Sequence, residues 1–222
     1  MTGPANQITG RRDGALFAYL ASAARRHSPR AFAFMSAHLQ LTVCDLREDC
    51  ITAIRKRFAG IDSVVAEKAD ITNLRRDAWA TAGNSFGDMG GGADRAIDGF
   101  FSGLAQAAVQ DAIRRDFFNE LPVGSAVVVR PSPKKPVLIY APTMRVPGNV
   151  GTTINAYLAM RAILIAVTKE GLASLACPTL GTGVGGFTPD DAADQMFQAY
   201  RLIIMGEFSS VVHSLRAPYV MR

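Results

Sequence analysis

WATAGNSFGDMGGGAD, residues 79–94, passes from a short strand into a glycine-rich loop and out into a helix. Trp79 to Ala82 reads as a short strand, residues 83–92 form the loop, and an apolar stripe of Ile97, Phe101, Leu104 and Ala108 predicts one long helix over about 93–116. A second stretch, LACPTLGTGVGGFTPDDA at 175–192, repeats the plan. Leu175 to Pro178 is strand-like, Gly181 to Phe187 is a loop, and Thr188 caps a helix with Pro189 at its first position and Asp191 three residues on. Glycines let a backbone turn sharply and present consecutive N–H groups. A helix N-terminus adds unpaired donors and partial positive charge. Two such loops at one sheet edge would cradle a phosphate or diphosphate without lysine or arginine; two tight turns with no ligand are the plain alternative.

The rest of the chain alternates in the same way. Strands are expected at His38–Leu46, Ser63–Ala69, Ser125–Arg130, Val137–Ala141 and Val211–Leu215. Helices are expected at Glu48–Phe58, at Asn149–Glu170 before Gly171, and from Pro189 along Ala192, Met196, Tyr200 and Ile203. Alternation of this kind implies an α/β domain, a sheet with helices on both faces.

The formal charge of +5 belongs largely to one end. Residues 1–34 hold Arg11, Arg12, Arg25, Arg26 and Arg30 against Asp13, a local charge of +4, which leaves +1 for residues 35–222. The division expected is a basic N-terminal extension, 1–34, disordered in part or helical, and a folded domain, 35–222; Met35 offers a second start. Nucleic-acid binding through the basic arm ranks last among the functions considered, because the core is nearly neutral. No run of 18 apolar residues occurs, so no membrane partner is expected. Cys44, Cys50 and Cys177 give an odd count without a CxxC, and His27, His38 and His213 are scattered. A reducing, cytoplasmic setting and no metal site follow as expectations. Cys44, Cys177 and Trp79 read as core residues, Lys134 and Lys135 as a solvated turn, and a monomer is the default.

Gly181-Thr182-Gly183-Val184-Gly185-Gly186 matches G-x-G-x-x-G literally. A dinucleotide-binding motif opens the first βαβ unit, with its helix starting inside the motif. Here it lies late in the chain, and Pro189 starts the helix after it. No Gly-Lys-Ser/Thr of a P-loop occurs.

The order of motifs resembles that of macro domains. Ala69-Asp70-Ile71-Thr72 is similar to the family's Gly-Asp-Ile-Thr, Ala82-Gly83-Asn84 to Ala-Ala-Asn, and Gly90-Gly91-Gly92-Ala93-Asp94 to Gly-Gly-Gly-Val-Asp. The likeness spans about residues 39–205 and implies a three-layer α/β/α fold with a central mixed sheet of about six strands. It also implies ADP-ribose, free or on ADP-ribosylated proteins, as ligand or product, with no metal or organic cofactor. By the same resemblance Asp70 would accept from the adenine amino group, Ile71 would pack nearby, and Asn84 would bond the distal ribose. Gly90, Gly91, Gly92 and Ala93, with Thr182, Gly183, Val184, Gly185 and Gly186, would wrap the diphosphate, and Phe187 would line the pocket. Asn84 and Asp94 share the spacing of the catalytic pair in MacroD-type hydrolases, where Asp94 would orient or deprotonate a water, or act on a ribose hydroxyl. A first-turn carboxylate favoured by the helix dipole is the plain alternative for Asp94, and a turn residue for Asn84.

Three departures bear on activity. Hydrolytic relatives usually carry an aromatic where Gly185 stands, Thr81 replaces the first Asn of Asn-Ala-Ala-Asn, and Ala93 replaces Val. An ADP-ribose ester hydrolase is the first expectation; a non-catalytic ADP-ribose reader and an ADP-ribose 1″-phosphate phosphatase are the alternatives.

Overall fold

Side chains along the central strands alternate between two separate cores. In β3 (Ala78–Thr81), Ala78 and Ala80 face one core and Trp79 the other. In β5 (Val137–Tyr140), Ile139 joins the first core, while Leu138 and Tyr140 join the second. Buried on both faces, these strands need helices above and below. The computed structural model describes residues 39–207. The N-terminal extension and the strand expected at 211–215 lie outside the described residues.

The remaining elements are β1 (Gln40–Asp45), α1 (Glu48–Arg57), β2 (Val64–Lys68), a 3-10 turn (Ile71–Asn73), α2 (Gly92–Phe100), α3 (Leu104–Phe117), β4 (Val127–Val129), α4 (Asn155–Glu170), β6 (Ser174–Pro178) and α5 (Pro189–Ile203). The six strands form one mixed sheet ordered β2-β1-β6-β3-β5-β4. Five run parallel, and β4 is antiparallel to β5. Helices α1, α4 and α5 cover one face and α2 and α3 the other, the three-layer α/β/α arrangement.

Two helices differ from the sequence expectation. The single helix over 93–116 is two, because Ser102 (φ 58°) and Gly103 (φ 80°) both adopt left-handed conformations that end α2 and restart the chain as α3. The apolar stripe continues across this break, so periodicity alone did not show it. Helix α4 starts at Asn155 instead of 149, since residues 150–153 close a turn in which Thr153 N donates to Val150 O (3.0 Å). Trp79, Cys44 and Cys177 are core residues as read from the sequence; the Trp79 indole donates to Leu74 O (3.1 Å).

Candidate functional site

Parallel strands deliver all their C-terminal ends to one edge of the sheet. β1 and β3 lead outward in opposite directions, to β2 and to β5, with β6 inserted between them. A crevice opens at such a switch point, and here it is a cavity of about 500 Å³. Its walls are the segments that follow β1, β2, β3, β5 and β6. β3 and β5 stay zipped past their ends: Ala141 N bonds Thr81 O, Thr143 N bonds Gly83 O, and Ser85 N bonds Arg145 O, each at 3.0 Å.

The first glycine loop is fixed at both ends and open in the middle. The Asn84 amide oxygen accepts from Phe86 N (3.0 Å) and Asp88 N (3.4 Å), and its nitrogen donates to Asp88 O (3.2 Å). Both readings of Asn84 therefore meet in one residue: it organises the turn and lines the cavity, with one amide N–H to spare. Met89 N is held by Gln106 Oε1 (2.9 Å). Nothing would crowd a Cβ at Gly91 or Gly92. Helix α2 has no side-chain N-cap, so its first-turn N–H groups sit unpaired beside the lining residues Gly91 to Asp94.

The second loop is tied to the segment after β1. The Thr179 hydroxyl donates to Asp45, and Thr179 and Thr182 share a bond of 2.9 Å. Arg47 reaches Thr182 O (3.2 Å) while its guanidinium forks onto Asp49. A Cβ at Gly185 would stand 2.6 Å from Gly181 O, so this loop conformation admits only glycine there. Val184, 67% exposed, forms the outer lip.

Asp70, Ile71, Asn84, Gly91, Gly92, Ala93, Asp94 and Thr182 to Gly185 all line the cavity. Gly90, Gly186 and Phe187 do not. Gly90 N turns back to Asp88 Oδ1 (2.9 Å), and Gly186 packs against Asn149. Phe187, expected as an aromatic wall, is 3% exposed in the core and lies beneath Gly181, where it supports the loop from below. Sequence reading missed the walls after β1 and β5, including Asp45, Arg47, Thr143 and Pro147. The rule that parallel strands place their C-terminal loops together would have indicated them. The Thr143 hydroxyl, in this wall, is the one buried side-chain polar atom among the described residues without a hydrogen-bond partner.

Four carboxylates, Asp45, Asp70, Asp88 and Asp94, line the cavity against one guanidinium, Arg47. Asp94 is drawn inward, accepting from the fully buried Thr81 hydroxyl. Burial, and secondarily the charge of Asp88, pushes its carboxyl up to about 7. Gly83 makes this packing possible, because a Cβ there would overlap the Tyr140 hydroxyl and lie 2.8 Å from Asp94 Oδ2. The Tyr140 hydroxyl donates to Asn84 O (2.7 Å) and so braces the same turn. Cys44 reaches the cavity, but burial, with Asp45 and Asp70, holds its thiol neutral, pushed up to about 12; it is no nucleophile at neutral pH. Among the described residues no cluster of metal-ligating side chains occurs and no helix is long and apolar enough to cross a membrane.

The sequence profile of the macro domain family matches residues 80–196, more than half of the chain. The chain belongs to the macro domain family. Members of that family generally bind ADP-ribose. An uncharacterised protein of Aeropyrum pernix is 32% identical over 144 residues, covering 64% of this chain and 73% of that protein. Rv1899c, an uncharacterised protein of Mycobacterium tuberculosis, is 34% identical over 153 residues, covering 67% of this chain and 40% of that one. The macro domain of M. tuberculosis DarG shares the fold with a TM-score of 0.54 at 20% identity, covering 62% of this chain and 90% of that one. An Oceanobacillus iheyensis macro domain solved with ADP gives 0.52 at 23% identity, covering 63% and 75%.

Proposed function

We propose that this macro domain binds ADP-ribose in the cavity and hydrolyses ADP-ribose esters, either mono-ADP-ribosyl-proteins or O-acetyl-ADP-ribose, with Asn84 and Asp94 as the catalytic pair. The observation that carries the reading is a carboxyl pushed to about 7 that lines the same cavity as Asn84, at the uncapped start of a helix. A base with that affinity for protons is matched to neutral pH. Ionised Asp94 takes a proton from water as the oxygen attacks the ester carbonyl, then returns it to the departing ribose oxygen. The spare N–H of Asn84 holds the distal ribose. Backbone N–H groups of the two glycine loops take the diphosphate, in keeping with a lining that has little side-chain positive charge. Asp70 Oδ1 is engaged by Thr72 N and Oγ1, and Oδ2 is the oxygen assigned to the adenine amino group. The reading uses no metal or organic cofactor.

Calorimetric titration with ADP-ribose, against AMP and NAD as controls, tests the binding half. Absence of selective ADP-ribose binding rejects it. Acetate release from O-acetyl-ADP-ribose tests the chemical half. One observation favours a second reading, a reader of ADP-ribosylated proteins: the loop excludes any side chain at Gly185, where hydrolytic relatives usually hold an aromatic against the distal ribose. Selective binding without multiple turnover selects the reader.

A further inference from the structure

The opposite edge of the sheet carries a groove of about 820 Å³ lined by Arg75, Arg76, Lys134 and Lys135. These cations come from segments that enter β3 and β5, far apart in sequence, and the parallel pairing of those strands brings them together. The turn at Lys134 and Lys135, solvated when read alone, is one wall of a shared basic surface. None of the four forms a salt bridge among the described residues. The groove's one carboxylate among the described residues, Asp77, is engaged through Oδ2, which accepts from Ala173 N, Ser174 N and Ser174 Oγ. Two cations are fixed by the fold. Arg76 donates twice to Thr42 Oγ1 (3.0 and 2.9 Å), and Lys135 lies 4.3 Å above the Phe100 ring. Arg75 and Lys134 are exposed, and among the described residues their side chains make no hydrogen bond.

We infer that this groove binds the phosphodiester backbone of a single-stranded nucleic acid. A concave surface with four cations and one satisfied carboxylate complements a chain of regularly spaced anions. Trp79 is buried and Phe100 is covered by Lys135, so the groove offers no free aromatic platform for stacking. Binding is therefore directed at phosphates and indifferent to sequence. The four cations do not line the cavity; the groove meets the cavity wall where its Thr72 donates to Asp70 Oδ1 (2.9 and 2.8 Å), and its occupancy is expected to be independent of ADP-ribose.

The test is fluorescence polarisation of a labelled, mixed-sequence single-stranded oligonucleotide with the full chain, from low to physiological salt. Saturable micromolar binding is expected at low salt, weakening with a log–log slope that includes about −0.7 per phosphate contact. Arg75→Gln with Lys134→Gln is expected to weaken binding at least tenfold at low salt and to reduce the slope by about 1.4. Arg161→Gln with Lys169→Gln removes equal charge elsewhere and is expected to leave the slope unchanged. No saturable binding overturns the inference, as does a Arg75/Lys134 variant with unaltered slope, or an equal loss in the Arg161/Lys169 control. Displacement by excess ADP-ribose also overturns it, since the strand would then occupy the cavity.

Discussion

The two edges of the sheet treat anions in opposite ways. At the C-terminal edge four aspartates and one arginine surround two glycine loops and an uncapped helix start; at the N-terminal edge four cations surround one satisfied aspartate. Lysine and arginine attract any polyanion and lose strength as salt rises. Backbone N–H groups in a shaped loop hold only a group that fits, while the carboxylates around them repel anions that lack the right contacts. The same fold thus offers a selective edge and an indiscriminate one.

The largest expected effect lies in the chemistry of the selective edge. Asp94→Asn keeps the size of the side chain and an oxygen to accept from Thr81. It is expected to lower turnover of an ADP-ribose ester by about 100-fold or more while calorimetry shows little change in ADP-ribose affinity. Equal turnover in variant and parent would remove Asp94 from the mechanism. Turnover by the parent should rise about tenfold per pH unit below 7 and level off above it, since the base must be ionised.

Next in size is the glycine requirement. Gly185→Ala forces a Cβ against Gly181 O and should reduce ADP-ribose affinity while costing about 1–3 kcal/mol of stability. Gly83→Ala should destabilise by a similar amount, about 1–3 kcal/mol, because its Cβ meets the Tyr140 hydroxyl. Tyr140→Phe in the same chain should restore part of that loss. Thermal melts read both, and absence of rescue would place the strain elsewhere.

These residues also mark what was legible in the sequence. Elements and layers were read well, because buried parallel strands and amphipathic helices write their periods directly into the chain. The α2–α3 break was not, since Ser102 sits in a left-handed conformation that serine seldom adopts. At the site, the glycine loops announced themselves by residue type and spacing, and Asp70 entered through the resemblance to macro domains. Arg47 and Thr143 did not, because only the sheet order brings their loops to the cavity. Phe187 was misplaced for a related reason: the turn at Gly186 (φ 71°) carries its ring toward the core, and spacing alone cannot assign a loop side chain to one face. The basic groove joins two short charge pairs that are unremarkable apart.

Asp94 should also leave a mark on stability. Its folded pKa of about 7 lies above the ordinary value of 3.8, so the folded protein binds this proton more tightly than the unfolded chain. The contribution of this group to stability is full below about pH 4 and is lost as pH rises through 7. Asn is neutral throughout. Asp94→Asn should therefore melt several degrees above the parent at pH 8, with the gap closing toward pH 4. A constant gap would mean the carboxyl titrates normally.

The smallest expected effect is the one that separates the two edges. The strands between them are four to six residues long, which sets the edges about 13–20 Å apart. The screening length at physiological salt is about 8 Å, and the two lining sets share no residue, although the groove's Thr72 bonds the cavity's Asp70. Removing Arg75 and Lys134 should thus change ADP-ribose affinity less than about twofold and stability by no more than about 0.5 kcal/mol. The same titration at low salt provides the sharper case, because screening weakens while the geometry stays fixed. If ADP-ribose affinity then falls severalfold in the Arg75/Lys134 variant and recovers with salt, the cations act on the cavity through the field of the whole molecule. The basic edge would then be the source of attraction that the acidic cavity lacks.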